Sequence, residues 1–227
     1  IRLVLVHGAR PQIEQHLARN NLGDTYHQGV RMTDADSMQC VKEAVGRVRV
    51  EIEALLSMGL ANSPMANADI RVAGGNFITA QPIGIINGVD LMHTGSVRKV
   101  DIAALNDRMD FGEVVLLSPL GYSPTGEVFN VTLEDIATAT AIALDADKLV
   151  FLMDTDGVQH GFDCELTSAI SRATRIPVIA SGGAGRPEDF VRVLTEGEAD
   201  AALAASVFHY GTYTVGQLKE ELEKQGI

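Results

Sequence analysis

Residues 114–152, VVLLSPLGYSPTGEVFNVTLEDIATATAIALDADKLVFL, contain the order of elements that decides the fold. Apolar runs at 114–117 and 149–153 predict two short strands, and the segment 133–144 between them predicts a helix. Both runs are continuous rather than alternating, which is typical of strands buried on both faces of a parallel sheet. A repeated order of strand, loop and helix indicates an α/β fold.

The same pattern extends outward to both ends of the chain. Further strands are predicted at 2–6, 70–73, 83–86, 177–180 and 201–205. Further helices are predicted at 11–19, 33–55, 165–173, 187–194 and 215–224. The helix at 33–55 has one apolar face with steps of three and four residues, and Thr33 is expected to cap it. The stretch 74–101 is rich in Gly and Asn and predicts hairpins laid over one edge of the sheet.

Composition narrows the class of protein. Hydrophobic residues make up 46% of the chain and charged residues 21%, which are ordinary globular values. No apolar run approaches the roughly 18 residues that span a membrane. The net charge of −12 argues against a nucleic-acid partner, because phosphate backbones attract basic surfaces. Cys40 and Cys164 have neither a disulfide pattern nor metal-ligand spacing, so we expect a cytoplasmic protein without a metal or a cofactor.

The first apolar run leads into HGARPQI at residues 7–13. His7, Gly8 and Ala9 form a turn of small residues, and Pro11 suits the first turn of a helix. Free N–H groups at such a helix N-terminus can bind a carboxylate or a phosphate. An ordinary strand-to-helix turn has the same residues, so the spacing alone leaves both interpretations open.

Three segments carry a wider resemblance: HGARPQI at 7–13, GVRMTDADSM at 29–38, and the stretch 114–152. In this order and spacing they resemble the amino-acid-kinase domain of bacterial N-acetylglutamate synthase and, more distantly, acetylglutamate kinase. The resemblance covers residues 1–153. It implies a domain of arginine biosynthesis that binds N-acetylglutamate or arginine.

The resemblance also implies roles for single residues. The turn at residues 7–9 and the guanidinium of Arg31 would contact the carboxylates of an acyl amino acid, and Asn130 would lie beside that ligand. Without the resemblance, Arg31 would be interpreted as a solvated loop arginine. Glu134 stands where the kinases have an aspartate. The lysine and Gly-Gly loop of the kinases should precede Ile1 and are not in the sequence, so phosphoryl transfer is not expected.

Residues 176–185, IPVIASGGAG, predict a second anion site. A buried strand runs into a glycine-rich turn, and a helix restarts at Pro187, so backbone N–H groups can approach an anion closely. A second strand, in DAALAASVFH at 200–209, ends in another small-residue turn. Paired loops of this kind form the phosphate site of β/α barrels, with two glycine-tolerant turns as the alternative. The residues expected to hold a phosphate are Ser181, Gly182, Gly183, Ala205 and Ser206.

From MDTDGVQHGFD at 153–163 onward, the chain resembles the C-terminal quarter of the cyclase subunit of imidazole glycerol phosphate synthase, a β/α barrel of histidine biosynthesis. The resemblance implies that Asp156 is the catalytic acid or base. Such chemistry uses a pair of carboxylates, and the strand that carries the second aspartate is absent from the sequence. Asp156 alone is therefore expected to be a turn or capping residue.

These observations predict one continuous three-layer αβα sandwich with a mainly parallel sheet. An amino-acid-kinase-like segment, 1–153, and a barrel-derived segment, 154–227, would share that sheet. A β/α barrel is the alternative, and the hairpins at 74–101 argue against it.

Function is predicted along the same division. The main hypothesis is a chimeric domain that binds N-acetylglutamate or arginine in its first part and a phosphorylated metabolite in its second, with little turnover. The alternatives are an active transferase of the N-acetylglutamate synthase or kinase type, and an imidazole glycerol phosphate synthase cyclase. No nucleic acid and no membrane are expected as partners, while exposed edge strands favour a homo-oligomer.

Overall fold

The structure is a computed structural model. It describes residues 1–58, 69–150, 161–204, 206–209 and 211–227. The chain divides into two compact units, Ile1–Thr140 and Ala141–Ile227. The predicted seam at Met153 lies outside the described residues.

The first unit contains eleven of the described strands and the first four helices. Its strands are β1 Val4–Val6, β2 Tyr26–His27, β3 Val30–Arg31, β4 Val72–Gly74, β5 Ile78–Pro82, β6 Ile85–Ile86, β7 Val89–Asp90, β8 Gly95–Val100, β9 Val114–Leu117, β10 Leu120–Tyr122 and β11 Val128–Asn130. Its helices are α1 Arg10–Arg19, α2 Ala35–Leu56, α3 Ile102–Asp110 and α4 Leu133–Ala143, the last of which crosses into the second unit.

A parallel sheet in the order β1–β9–β4 forms the centre of the first unit. Val115, Leu116 and Leu117 of the middle strand are all buried. Successive strand residues point to opposite faces, so both faces of this sheet are covered. The continuous apolar run at 114–117 therefore has the structure that its pattern predicts.

A second sheet, in the order β11–β10–β5–β8, takes up most of the stretch 74–101. β5 and β8 are antiparallel, with Ile78 opposite Val100, and β6 and β7 form a short hairpin between them. The predicted hairpins are present, and they pair with β10 and β11 in a sheet of their own. The helix α3, which follows β8, was not predicted. It begins after Asp101, whose side chain accepts a hydrogen bond from the N–H of Ala104 over 3.1 Å.

Helices α1 and α2 pack on each other through an apolar cluster. Its buried members are Ala9, Ile13, Leu17, Met38, Cys40, Val41, Ala44 and Val45. The prediction that Thr33 caps α2 is wrong, because Asp34 is the N-cap and accepts a hydrogen bond from the N–H of Ser37 over 2.7 Å. Thr33 is completely buried and uses its hydroxyl elsewhere.

In its described residues, the second unit has a parallel sheet and four helices of its own. The sheet runs β12 Leu149–Val150, β13 Val178–Ser181 and β14 Ala201–Leu203, in that order. The helices are α5 Cys164–Ala173, α6 Pro187–Thr195, α7 Ser206–His209 and α8 Val215–Lys224. Phe162 and Phe190 meet edge to face in its core, with ring centres 5.4 Å apart.

The prediction of an α/β fold with mainly parallel sheets is confirmed, since β1, β9 and β4 are parallel in the first unit and β12, β13 and β14 in the second. One sheet shared by both segments, and a barrel origin of segment 154–227, stay predictions. Within the described ranges, no helix combines the length and the hydropathy that a membrane span requires.

Close packing of the second sheet leads to a prediction about Gly95. A Cβ atom at Gly95 would lie 2.6 Å from the Cβ of Phe129 and 3.0 Å from the Gln81 carbonyl oxygen. Gly95→Ala should therefore lower the free energy of unfolding by about 1–3 kcal/mol in urea denaturation. The matched control is Gly46→Ala within α2, where the added Cβ meets no atom of the described residues within 4 Å. This control should raise stability by about 1 kcal/mol, and equal stability of the two variants would contradict the packing.

Candidate functional site

The carboxyl ends of β1 and β9 lie side by side at the same end of the central sheet, because the two strands are parallel neighbours. His7 follows β1, and its backbone N–H donates to the Leu117 carbonyl over 3.1 Å. Its side-chain Nε2 lies 2.9 Å from Oγ of Ser118, which follows β9. Ser118 was not among the predicted site residues. Its position directly after a predicted strand was the only sequence signal for it.

The protonation state of His7 follows from its surroundings. Burial lowers the pKa of His7, the Gly8 carbonyl opposes this by accepting a hydrogen bond, and the positive charge of Arg49 lowers the pKa further. A carbonyl can only accept, so the 3.1 Å contact of Nδ1 with Gly8 O assigns the proton to Nδ1. Nε2 is then the acceptor, and Ser118 Oγ donates to it.

Gly8 and Ala9 connect this edge to α1. Ala9 is the buried N-cap of α1 and has no side chain that can cap the helix. The first turn therefore presents N–H groups and the positive end of the helix dipole. A Cβ atom at Gly8 would lie 3.7 Å from Leu133 Cδ1, so the turn lies against the start of α4, whose second residue is Glu134.

Arg31 is not a solvated loop arginine, since its side chain is only 9% exposed. It forms an ion pair with Asp24 and a longer one, of 3.5 Å, with Glu14. Its guanidinium lies 4.9 Å from the ring centre of Tyr26, and that of Arg10 lies 5.4 Å from the same ring. Arg10 Nε also donates to Glu14 Oε1 over 3.0 Å. We call these five residues the mixed-charge cluster.

Asn130 ends β11 and is connected to the Arg31 segment. Its Nδ2 donates to Thr33 Oγ1 over 3.1 Å, and its backbone N–H donates to the His93 carbonyl over 2.9 Å. Thr33 lies two residues after Arg31. Through Thr33, the structure thus connects Asn130 to the segment that carries Arg31, although the two residues are far apart in the sequence.

The predicted phosphate site has a different character. Gly182 and Gly183 follow β13 with φ values of +96° and +89°, a conformation that favours glycine. Beyond Ala184, the backbone N–H groups of Gly185 and Arg186 both donate to Asp189 Oδ2 over 2.9 Å. An internal carboxylate therefore occupies the start of α6, where a phosphate was expected to bind.

The other predicted residues of the second site are described only in part. Ser181 ends β13 and is buried. Asp156 and Ala205 lie outside the described residues, and for Ser206 only the backbone, in α7, is described. Their roles stay predictions. In the described part of the chain, no three His, Cys, Asp or Glu side chains are grouped so that they could hold a metal ion.

Comparison with protein families gives a match over most of the chain. The model of the amino acid kinase family matches residues 1–171. The amino-acid acetyltransferase of Pseudomonas fluorescens strain SBW25 is 57% identical over 150 residues, which are 66% of this chain and 35% of that protein. The amino-acid acetyltransferase of Azotobacter vinelandii is 53% identical over 161 residues, or 71% of this chain and 37% of that protein. The chain thus spans little more than a third of these curated relatives.

Solved structures extend the comparison. N-acetylglutamate synthase from Neisseria gonorrhoeae, complexed with coenzyme A and L-arginine, aligns over 90% of this chain and 54% of its own, with a TM-score of 0.69 and 30% identity. The complex of that enzyme with coenzyme A and N-acetyl-glutamate aligns with a TM-score of 0.63 and 30% identity, over 90% of this chain and 47% of its own. The resemblance predicted for the first segment is confirmed, and the cyclase resemblance of the second stays a prediction.

The surroundings of His7 predict a pH dependence of stability. Because burial lowers its pKa, the unfolded chain takes up the proton first as the pH falls below the usual histidine value of about 6.5. Stability from neutral His7 is therefore present above that pH and lost below it. His7→Gln should show a smaller loss of unfolding free energy than wild type between about pH 8 and pH 5.5 in urea denaturation. An NMR titration midpoint for His7 at or above the usual value would contradict this assignment.

Proposed function

The chain belongs to the amino acid kinase family, and we propose that it is the amino-acid-binding part of an amino-acid acetyltransferase of the N-acetylglutamate synthase type, acting in arginine biosynthesis. The names of its relatives support a transferase over a binding domain with little turnover. Since the chain spans little more than a third of those relatives, acetyl transfer is assigned to the whole protein and amino-acid binding to this chain.

The mixed-charge cluster is the observation that carries the proposal. A buried guanidinium is suited to bidentate recognition of a carboxylate, and Arg31 is held for this by packing on Tyr26. Arg10 lies beside the same ring, at the N-terminus of α1, where the helix dipole favours an anion. Asp24 and Glu14 add negative charge to the same cluster. Such a site matches a ligand that carries both signs of charge.

Ion-pair exchange decides which amino acid suits the cluster better. A ligand carboxylate that binds the guanidinium N–H groups now paired with Asp24 displaces that residue, and a displaced carboxylate needs a new partner at a site that is partly out of water. Arginine supplies one through its ammonium or guanidinium group, which can also lie on the face of Tyr26. N-acetylglutamate carries only negative charges and supplies none. We therefore propose arginine as the preferred ligand and N-acetylglutamate as the weaker one.

A phosphorylated metabolite is not part of this proposal. The N–H groups of Gly185 and Arg186 already donate to Asp189, and a phosphate would bring a second negative charge to that carboxylate. The glycine-rich turn after β13 is explained by its positive φ angles at Gly182 and Gly183. Its carbonyl at Gly183 also accepts a hydrogen bond from the N–H of Gly161, over 2.9 Å.

Isothermal titration with arginine and with N-acetylglutamate tests the proposal. Arg31→Lys should weaken arginine binding about tenfold or more, because lysine cannot make the bidentate, charge-assisted contact, which contributes roughly 1.5–3 kcal/mol. The matched control is Arg47→Lys, on the exposed side of α2, where Arg47 pairs with Glu51 over 2.8 Å. This control should leave affinity unchanged. Absence of binding of both ligands to wild type, or equal affinities of the two variants, would refute the proposal.

A further inference from the structure

Two buried threonines connect the backbone of Arg31, a member of the mixed-charge cluster, with Asn130, which the family resemblance predicts beside the ligand. Thr33 is 0% exposed and Thr94 is 2% exposed. Thr94 Oγ1 lies 2.6 Å from the backbone carbonyl oxygen of Arg31 and 3.0 Å from Thr33 Oγ1. Asn130 Nδ2 lies 3.1 Å from the same Thr33 oxygen. Four polar groups from three distant parts of the sequence thus form one continuous chain of hydrogen bonds.

The direction of every hydrogen bond in this chain is fixed by its last member. The Arg31 carbonyl can only accept, so Thr94 donates its single hydroxyl hydrogen to it. Thr33 must then donate to Thr94, and its own oxygen is left to accept from Asn130. Only the NH2 end of the Asn130 amide can donate to Thr33, so this hydrogen bond fixes which end of the amide faces the threonine.

Backbone hydrogen bonds around the two threonines hold this series of side-chain hydrogen bonds in place. His93 N–H donates to the Thr33 carbonyl over 2.8 Å, and Asn130 N–H donates to the His93 carbonyl over 2.9 Å. Isolated parallel bridges pair Thr33 with Met92, and Thr94 with Asn130. The side-chain and backbone hydrogen bonds together hold the end of β3, the start of β8 and the end of β11 in fixed positions relative to one another.

We propose that Thr33 and Thr94 are positioning residues for the amino-acid site, and that they act through the Asn130 amide and the backbone of Arg31. This inference rests on the proposed function, because it assigns the threonines to the site that binds arginine. We call the series of hydrogen bonds from the Arg31 carbonyl through Thr94 and Thr33 to Asn130 the relay. Because it is buried from water, it holds its members more tightly than single exposed hydrogen bonds do. Breaking it frees the Asn130 amide to rotate and removes one restraint from the segment that carries Arg31.

The test compares Thr94→Val, Thr94→Ser and Thr140→Val by titration with arginine. Valine has the shape of threonine without the hydroxyl, so Thr94→Val should weaken binding about tenfold, while Thr94→Ser should stay within about twofold of wild type. Thr140 is the control. It is 3% exposed, and within the described ranges its Oγ1 has no hydrogen-bond partner. Wild-type affinity of folded Thr94→Val, or equal weakening by valine and serine, would overturn the proposal.

A measurement without ligand separates this inference from the proposed function. In the wild-type chain, hydrogen exchange of the Asn130 Nδ2 protons by NMR should be slow, and it should be fast in Thr94→Val and slow in Thr94→Ser. Fast exchange in wild type would overturn the relay even if Thr94→Val does not fold. If wild type binds no arginine while Asn130 is protected, the proposed function fails and the role of the threonines in binding fails with it, whereas the relay itself stands.

Discussion

Burial of the Arg31 guanidinium is the constraint on which the site depends. A charge removed from water must be paired, and Asp24, Glu14 and the face of Tyr26 provide that pairing. Glu14 belongs to α1, and the other two partners lie in the segment between α1 and β3. The interactions with Arg31 therefore also connect β3 to that segment and to the helix. In the proposed site, a ligand carboxylate that uses the same guanidinium N–H groups takes the place of an internal carboxylate. We therefore expect affinity to depend on what the ligand offers to the carboxylate that it displaces.

An internal carboxylate also occupies the second predicted anion site, with a different result. Asp189 accepts from the N–H groups of Gly185 and Arg186 and belongs to the helix whose start it caps. Among the described residues, Asp189 accepts only from these backbone N–H groups, whereas Arg31 contacts two carboxylates and an aromatic ring. Removing Asp189 from these donors would open the first turn of α6. In the proposed binding, a ligand takes the place of a carboxylate that pairs with Arg31, whereas Asp189 accepts backbone hydrogen bonds and begins a helix.

Much of the fold was predictable from the sequence, and the reasons are local. The run at 114–117 is continuous and apolar, and β9 has the same bounds. Thr33 and Asp34 are both suitable caps by residue type, and only the burial of Thr33 decides between them. The partners of Arg31 lie 7 and 17 residues away, across a turn and a helix. No periodicity indicates such pairs, so Asp24, Glu14, Tyr26 and Thr94 could be assigned to the site only from the structure.

Asp24→Asn tests the ion-pair exchange most directly, through the ratio of the dissociation constants for arginine and N-acetylglutamate. The asparagine side chain has no charge, so it forms no ion pair with the ammonium or guanidinium group of arginine, and it competes less strongly than aspartate with a ligand carboxylate for Arg31. We expect weaker binding of arginine, by about tenfold, together with equal or tighter binding of N-acetylglutamate. A shift of both ligands in the same direction and by the same factor would contradict it.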